Sequence, residues 1–389
     1  MKKINILYIE DVAEIAGGPN SLLQLFGQIY NDVNIHIFAP EGAFTSQAKL
    51  FSNNINITNI TRYESIVLFG KRFPNFYHIF LRLLDSVKIF KYIKKHNIDI
   101  VHSNDLDGHI IAWFLNHIFR VKSIWHIRIM TWPKILYQIK RVSQIIFVSK
   151  AVMNFSIKDS NKKNATVIYN GIDIDNFRKK LNSFNAIDTK RKLNINDEDF
   201  VVGYVARVKH QKRQKIVVKS IANLIQKGYR IKVVFVGDDS VTKESISGRG
   251  ENYYNELKQM VKKMKIEKHC IFVGHQKNTA KFYNIFDCFI FPAINDSNPR
   301  VILEAMASKI PIVANNTGGV VDMLENGKFG LISQVDNVDD FSNNIEKIIN
   351  NKSSINTEET FFKLNKDFKI EIHKDNILDL YQRILYKKD

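Results

Sequence analysis

The chain has 389 residues, 45% of them hydrophobic and 25% charged, which excludes a disordered polypeptide and leaves room for two domains. Lys and Arg outnumber Asp and Glu by 57 to 39, a formal net charge of +18. Such an excess either favours an anionic partner or reflects a general richness in Lys, Asn and Ile. With two cysteines and no run of about 18 apolar residues, neither a disulfide scaffold nor a membrane-spanning helix is expected, so the chain reads as cytoplasmic or peripheral on the inner face of the cytoplasmic membrane.

The opening INILYIE, from Ile4, reads as a first β-strand and not a signal peptide. In the AGGPNS that follows, Gly17 and Gly18 allow backbone N–H groups to approach an anion at a helix expected to begin near Asn20 or Ser21. Any strand-to-helix turn also favours glycine, and neither a P-loop nor a complete G-x-G-x-x-G is present. Further strands are expected from Val33, Ile55, Ile98, Lys122, Gln144 and Thr166. Between them, Phe69 to Asn97 mixes Phe76, Tyr77, Phe80, Leu83 and Leu84 with Lys71, Arg72, Arg82, Lys88, Lys91, Lys94 and Lys95. This is either a basic amphipathic helix suited to an anionic membrane or a core-facing helix with a solvated basic face. KSIWHIR places His126 and Arg128 at a strand end, and the D-x-D strings at Asp105–Asp107 and Asp173–Asp175 read as solvated loop acids.

The polar stretch from Phe177 to Asp199 marks a domain boundary. Beyond it, strands are expected from Phe200, Lys232, Cys270, Cys288 and Ile310, and both cysteines lie in strand-like runs without metal-ligand spacing. Arg207 and Lys212 lie just past the first of these strands, where two cations either neutralise a diphosphate or belong to a solvated basic loop. The paired acids of GDDS, Gly237 to Ser240, follow the next strand and are read as solvated.

In DSNPRVILEAMA a helix opens at Pro299 or Arg300, with Ser297 or Asn298 as its cap. Its N-terminus carries partial positive charge, and Glu304 lies about one turn inside it among apolar neighbours. An i,i+4 pair with Arg300 is worth about 0.2–0.5 kcal/mol, too little to offset burial. A hydroxyl-rich ligand would partner Glu304 better. The chain closes on a helical pattern in IEIHKDNILDLYQRILYKK.

Continuous apolar strands alternating with helices, twice over, predict an α/β protein made of two Rossmann-like, doubly wound parallel-sheet domains. The expected division is residues 1–180, residues 196–368, and a C-terminal helix over 369–389 returning to the first domain, with the ligand in a cleft between the domains. No metal-ligand cluster or Ser–His–Asp constellation is legible, and no nucleic-acid module accompanies the charge.

Taken in order, GGPNS, HSND, WHIR, VIYNGID, GYVARVKHQK, FVGD, IFVGHQ and DSNPRVILEAMASKIPIVANNTGG resemble glycosyltransferase family 4, the retaining GT-B enzymes, over nearly the whole chain. The resemblance implies transfer from a nucleotide-diphospho-sugar, held mainly by the second domain, to a glycan or lipid-linked acceptor in surface polysaccharide or lipopolysaccharide synthesis. It implies that Asp296 and Glu304 occupy the two positions of a Glu-x7-Glu signature, meeting the sugar and the donor ribose. Arg207 and Lys212 would grip the diphosphate, Gly17 and Gly18 close over the phosphate or sugar, His126 lie near the sugar, and Gly274 and His275 meet the base. Arg300 and Val301 complete the donor-binding set at the helix start. The catalytic set is then His126, Asp296, Arg207 and Lys212, with no cofactor and no metal, because the cations replace Mg²⁺. Two departures stand out. Asp296 is one methylene shorter than the usual Glu, and Asn298-Pro299 replaces a common Phe-Gly, removing one N–H. A GT-B-fold epimerase and an inactive nucleotide-sugar-binding homologue are the alternatives.

Overall fold

In the first strand, β1 (Ile4–Ile9), the side chains alternate between two apolar layers: Ile6 and Tyr8 join one core cluster, Leu7 and Ile9 another. That two-sided burial explains the unbroken apolar run in the sequence. The computed structural model describes residues 3–15, 17–57, 66–68, 71–73, 76–104, 106–130, 142–157, 164–238, 250–352 and 355–386. Asp105, Asp239 and Ser240, together with Phe69, Gly70, Pro74 and Asn75 of the basic stretch, lie outside the described residues.

The chain forms two units. Met1–Gly171 with Ile370–Asp389 make the first, and Ile172–Lys369 the second. Among the described residues, the first unit carries a seven-stranded sheet of order β3-β2-β1-β6-β7-β8-β9. Its other strands are β2 (Val33–Ala39), β3 (Asn54–Ile57), β6 (Ile100–Ser103), β7 (Ser123–Ile127), β8 (Gln144–Phe147) and β9 (Ala165–Val167), all paired in parallel. β4 (Ile66–Leu68) and β5 (Lys71–Phe73) form a separate antiparallel pair. One face of the sheet packs on the Gly17–Ile29 helix and on Ile377, Leu380 and Tyr381 of the last helix, Ile370–Tyr386. The other face packs on Ile89 and Ile93 of the Phe76–His96 helix and on Ile111 and Leu115 of the Leu106–Phe119 helix.

The second unit carries a six-stranded sheet of order β12-β11-β10-β13-β14-β15. Its strands are β10 (Phe200–Val205), β11 (Ile231–Val236), β12 (Cys270–Phe272), β13 (Cys288–Phe291), β14 (Ile312–Asn315) and β15 (Leu331–Ser333), again all parallel. In both sheets chain order reverses beside the first strand of the unit, at β1/β6 and at β10/β13. Loops leaving the carboxyl ends of those two strands diverge there and open a crevice.

The region expected as an irregular boundary is helical. Ile174–Asn182 is capped by Asp173, which accepts from the Asn176 N–H at 2.9 Å, and Ala186–Lys192 by Asn185, which accepts from the Asp188 N–H at 3.2 Å. Both helices belong to the second unit, so the units divide at Gly171/Ile172 and not near residue 180. Asp173 is therefore a helix cap and not a solvated loop acid. Its short side chain and extended backbone suit that place. Cys270 and Cys288 are free and buried. No helix among the described residues is long and apolar enough to cross a membrane.

Candidate functional site

At the β10/β13 reversal two loops are tied together. The Gln214 side-chain amide donates to the Arg207 carbonyl at 2.9 Å, and the Tyr204 hydroxyl donates to the Lys212 carbonyl at 2.5 Å. Gln214 and Tyr204 are both buried, so the basic loop is anchored from beneath. This separates it from the solvated loop that composition alone allowed. Lys212 Nζ meets Asp296 Oδ2 at 2.5 Å and lies 5.6 Å from the centre of the Phe291 ring. Arg207 is exposed, and the Lys209 ammonium is pushed down by burial and then by the charges of Arg207 and Lys212. Three cations crowded in this way favour an incoming anion.

Asp296 is positioned from the other side. The Ile294 N–H donates to the Gln211 carbonyl at 3.0 Å, and the Gly319 N–H donates to the Asp296 carbonyl at 2.8 Å. Gly318 sits at φ +65°, where a Cβ would lie 2.4 Å from that same carbonyl oxygen, so only glycine fits. The Thr-Gly-Gly turn thus sets the backbone of the shortened acid. Gly274 also has positive φ, +68°, but the space beside it is open, and His275 next to it is exposed.

The Arg300–Ala307 helix starts at Arg300, with Pro299 in the cap position in an extended conformation (φ −72°, ψ 114°) and no side-chain cap. Ser297 and Asn298 are buried and do not cap it, contrary to the sequence expectation. Proline itself occupies the cap, one residue earlier than its preferred place in the first turn. Val301, in the first turn, offers its carbonyl to the Tyr283 hydroxyl at 3.2 Å. Glu304 has hydroxyl neighbours: Thr279 Oγ1 at 3.4 Å from Oε2, and Tyr283. Burial raises its carboxyl above the usual range, against the lowering effect of Arg300, Tyr283 and Thr279. Arg300 Nη1 is itself buried without a hydrogen-bond partner among the described residues. The i,i+4 charge does not offset burial, as the sequence argument required.

In the first unit the β1/β6 reversal gathers a buried polar cluster. Asn104 donates from Nδ2 to Glu10 Oε2 at 2.5 Å, Arg128 Nε donates to Asn104 Oδ1, and Arg128 Nη1 donates to Asn170 Oδ1 at 2.7 Å. His126 is fully buried beside Arg128, with Nδ1 3.2 Å from Nη2. Its imidazole is held well below the usual range by burial first and the Arg128 charge second, so it stays neutral. The glycine helix begins at Gly17, three or four residues earlier than expected, because Pro19 in a first turn has no N–H to satisfy. Gly17 and Gly18 are therefore first-turn residues. A Cβ on Gly18 would stand 3.4 Å from Arg128 Cδ and 3.6 Å from Asn104 Nδ2.

The second unit thus brings Arg207, Lys212 and Asp296 together, places Arg300, Val301 and Glu304 on one short helix, and sets Gly274 and His275 after β12. The first unit gathers Gly18 and His126 around Arg128. Sequence reading missed Glu10, Asn104, Asn170, Thr279, Tyr283 and Gln214. For Glu10 and Asn104 a signal existed: both directly follow the strands that flank the chain reversal.

Residues 25–176 match the family model for Glycosyltransferase Family 4, and residues 185–368 the model for Glycosyl transferases group 1. The chain is 25% identical over 338 residues to the capsular polysaccharide biosynthesis glycosyltransferase CapM of Staphylococcus aureus, covering 83% of this chain and 82% of CapM. It is 23% identical over 322 residues to the UDP-Gal:alpha-D-GlcNAc-diphosphoundecaprenol alpha-1,3-galactosyltransferase of Escherichia coli, covering 78% and 80%. Its fold resembles that of Anabaena HepE, solved in complex with UDP, with a TM-score of 0.78 at 18% identity over 97% of this chain and 100% of HepE. With both sheets, their order and the two matched regions in agreement, the chain is a glycosyltransferase that belongs to family 4 and the GT-B fold class.

Proposed function

We propose that this enzyme moves a sugar from a nucleoside-diphospho-sugar to a hydroxyl of a lipid-linked glycan in surface-polysaccharide assembly, with retention of configuration. The observation that carries the reading is the anchored Arg207–Lys212 loop meeting Asp296 at the strand reversal. The donor diphosphate takes the charges of Arg207 and Lys212, and Glu304, already among hydroxyls, takes the ribose. Asp296 holds Lys212 in place and turns its carboxylate to the sugar once phosphate competes for the lysine. Gly274 and His275 receive the base, and Arg300 and Val301 the phosphate end. Gly17, Gly18 and His126 serve the phosphate and sugar. The sugar C1–O bond to phosphate breaks while the acceptor oxygen bonds to C1 from the same face, and the acceptor proton passes to the leaving phosphate oxygen. Fixed cations and the helix start stabilise the charge that develops there. The relatives support the acceptor class: CapM by its capsular role and the Escherichia coli enzyme by its diphosphoundecaprenol acceptor. HepE binds UDP, so uridine donors are the first to test.

A thermal-shift panel of nucleotide sugars followed by turnover with candidate acceptors tests this reading. Binding of no nucleoside diphosphate sinks it. Arg207→Ala and Lys212→Ala should abolish turnover, and a chelator should leave it intact. An altered nucleotide sugar released without acceptor would instead favour an epimerase.

The acceptor class implies a membrane surface, and one helix suits it. Along Phe76–His96 the buried side chains include His78, Arg82, Ser86, Ile89 and Ile93. Tyr77, Phe80, Leu84 and Val87 are exposed, followed by exposed Lys88, Lys91, Lys94 and Lys95. At 100° per residue these eight fall within one arc of about 120°, apolar in its first half and basic in its second. Arg82, counted from sequence among the solvated basic residues, is instead buried and paired with Asp85 at 3.0 Å. An apolar segment beside a lysine row fits insertion below anionic headgroups. The protein should co-sediment with phosphatidylglycerol vesicles and not with phosphatidylcholine. Phe80→Ser/Leu84→Ser should weaken that binding, and equal binding to both lipids would refute it.

A further inference from the structure

His126 stands at the end of a buried hydrogen-bonded chain that the sugar-transfer reading does not use. Tyr8, His102, His126 and Tyr381 are each fully buried. Tyr8 and Tyr381 hydroxyls are 2.7 Å apart, Tyr381 is 2.7 Å from His102 Nδ1, and His102 Nε2 is 3.1 Å from His126 Nδ1. These four residues come from β1, β6, β7 and the Ile370–Tyr386 helix, so elements far apart in sequence meet in one line.

The direction of every hydrogen in this line follows from one fact. Arg128 Nη2 has no lone pair to offer, so its 3.2 Å contact makes His126 Nδ1 an acceptor. The proton of neutral His126 is therefore on Nε2. Since His126 Nδ1 carries no proton, His102 Nε2 must donate to it as the second arm of a three-centre bond. His102 Nδ1 is then bare and accepts from Tyr381. The Tyr381 proton is spent, so its oxygen accepts from Tyr8. The far end of the line is His126 Nε2–H, a buried donor with no hydrogen-bond partner among the described residues. A buried donor left unmatched is costly, and such costs persist where a ligand group supplies the missing acceptor.

We propose that His102 and, behind it, Tyr381 on the C-terminal helix are positioning residues that hold the ring of His126 in the tautomer set by Arg128, so that its one free N–H is presented as a donor to a substrate oxygen. This deepens the sugar-transfer reading and rests on it for the identity of the substrate. His126 then acts as a fixed neutral donor and not as a proton-shuttling base. Without the Tyr381 hydroxyl, His102 keeps its proton on Nε2, facing the His126 acceptor, but its ring loses the hydrogen bond that orients it. One of the two restraints on the His126 ring is then loosened.

Two conservative variants separate this from simple packing. Tyr381→Phe removes the hydroxyl that orients His102. Tyr8→Phe removes an equally buried hydroxyl but leaves Tyr381 free to donate to His102. In ¹⁵N-histidine-labelled full-length protein, long-range ¹H–¹⁵N spectra should show His102 and His126 both protonated on Nε2. Tyr8→Phe should keep both tautomers and turnover within twofold of wild type. Tyr381→Phe should leave both tautomers in place, shift the His102 Nδ1 resonance that has lost its donor, and lower kcat about tenfold with little change in donor KM, the scale seen when a supporting hydrogen-bond partner is lost. A wild-type His126 protonated on Nδ1, or equal kcat losses in the two variants that track their melting temperatures, would overturn the proposal. The tautomer spectra need no substrate, so a wild type that turns over no nucleotide sugar refutes the functional reading while leaving the tautomer assignment to stand or fall separately.

Discussion

Glu304 shows how a single residue trades stability for binding. Its folded pKa lies above its unfolded one, chiefly through burial, so the folded state binds the proton more readily. The ionised carboxylate therefore costs stability at neutral pH, and that cost is relieved as pH falls through the folded value. Glu304→Gln keeps the shape without the charge, so the free protein should melt at the same temperature or higher while donor affinity drops about 10- to 100-fold. Calorimetric titration with a nucleoside diphosphate checks this, and an unchanged Kd would remove Glu304 from the ribose. Gly318 makes the opposite case. Gly318→Ala forces a Cβ against the Asp296 carbonyl, at 2.4 Å, and should cost about 2 kcal/mol or more together with activity. Gly274→Ala faces open space and carries only the left-handed strain of about 1–2 kcal/mol. Chemical denaturation of the two variants reads the contrast.

At the scale of elements, the basic loop after β10 depends on a residue outside it. Gln214 is fully buried and holds the Arg207 carbonyl. Gln214→Leu should raise the donor KM several-fold and cost about 1–3 kcal/mol of stability, because the carbonyl loses a buried donor. An unchanged KM would mean that Arg207 needs no such anchor. Every strand named from the sequence is present; most are apolar on both faces, while β3, at the edge of its sheet, has no buried residue. β4, β5 and β15, three residues each, were not named, although β9 and β12 are equally short. The early start of the glycine helix and the uncapped start at Arg300 show the same limit. Both hinge on proline, which suits several positions at a helix start, and neighbouring loops decide among them.

Across the whole molecule, buried histidines set the response to acid. His102, His109, His126 and His373 lie in the first unit, all held below the usual range by burial and by the charge of Arg128, His109 at about 3 and His373 at about 4. The unfolded chain would protonate them near pH 6.5, so it binds more protons than the folded state below that value. Stability is therefore full above pH 6.5 and falls as pH drops toward the folded values, by up to about 1.4 kcal/mol per pH unit for each histidine. Denaturation midpoints should decline steeply from pH 7 to pH 5, and a flat profile would show that these groups are hydrated. By the same reasoning, activity should show no ionisation of His126 between pH 5 and 8.

The two parallel sheets, the positions of most of their strands, the basic loop, the acidic residues Asp296 and Glu304, and the family are legible along the chain. Each of these is written in residues close together along the chain, as a hydrophobic period or a short motif. Which of those residues meet, and what holds them, depends on contacts made in the fold. Whereas the clamp of Tyr204 and Gln214 under the basic loop is local, the Lys212–Asp296 pair, the Thr279 and Tyr283 hydroxyls around Glu304, and the Glu10–Asn104–Arg128–Asn170 network join separate segments. No local pattern encodes such partners, because they become neighbours only when chain order reverses beside β1 and β10. The same holds for the line from Tyr8 to His126: its hydrogen-bond direction is set by Arg128 and carried to Tyr381 of the Ile370–Tyr386 helix, and neither contact is visible until the strands are side by side.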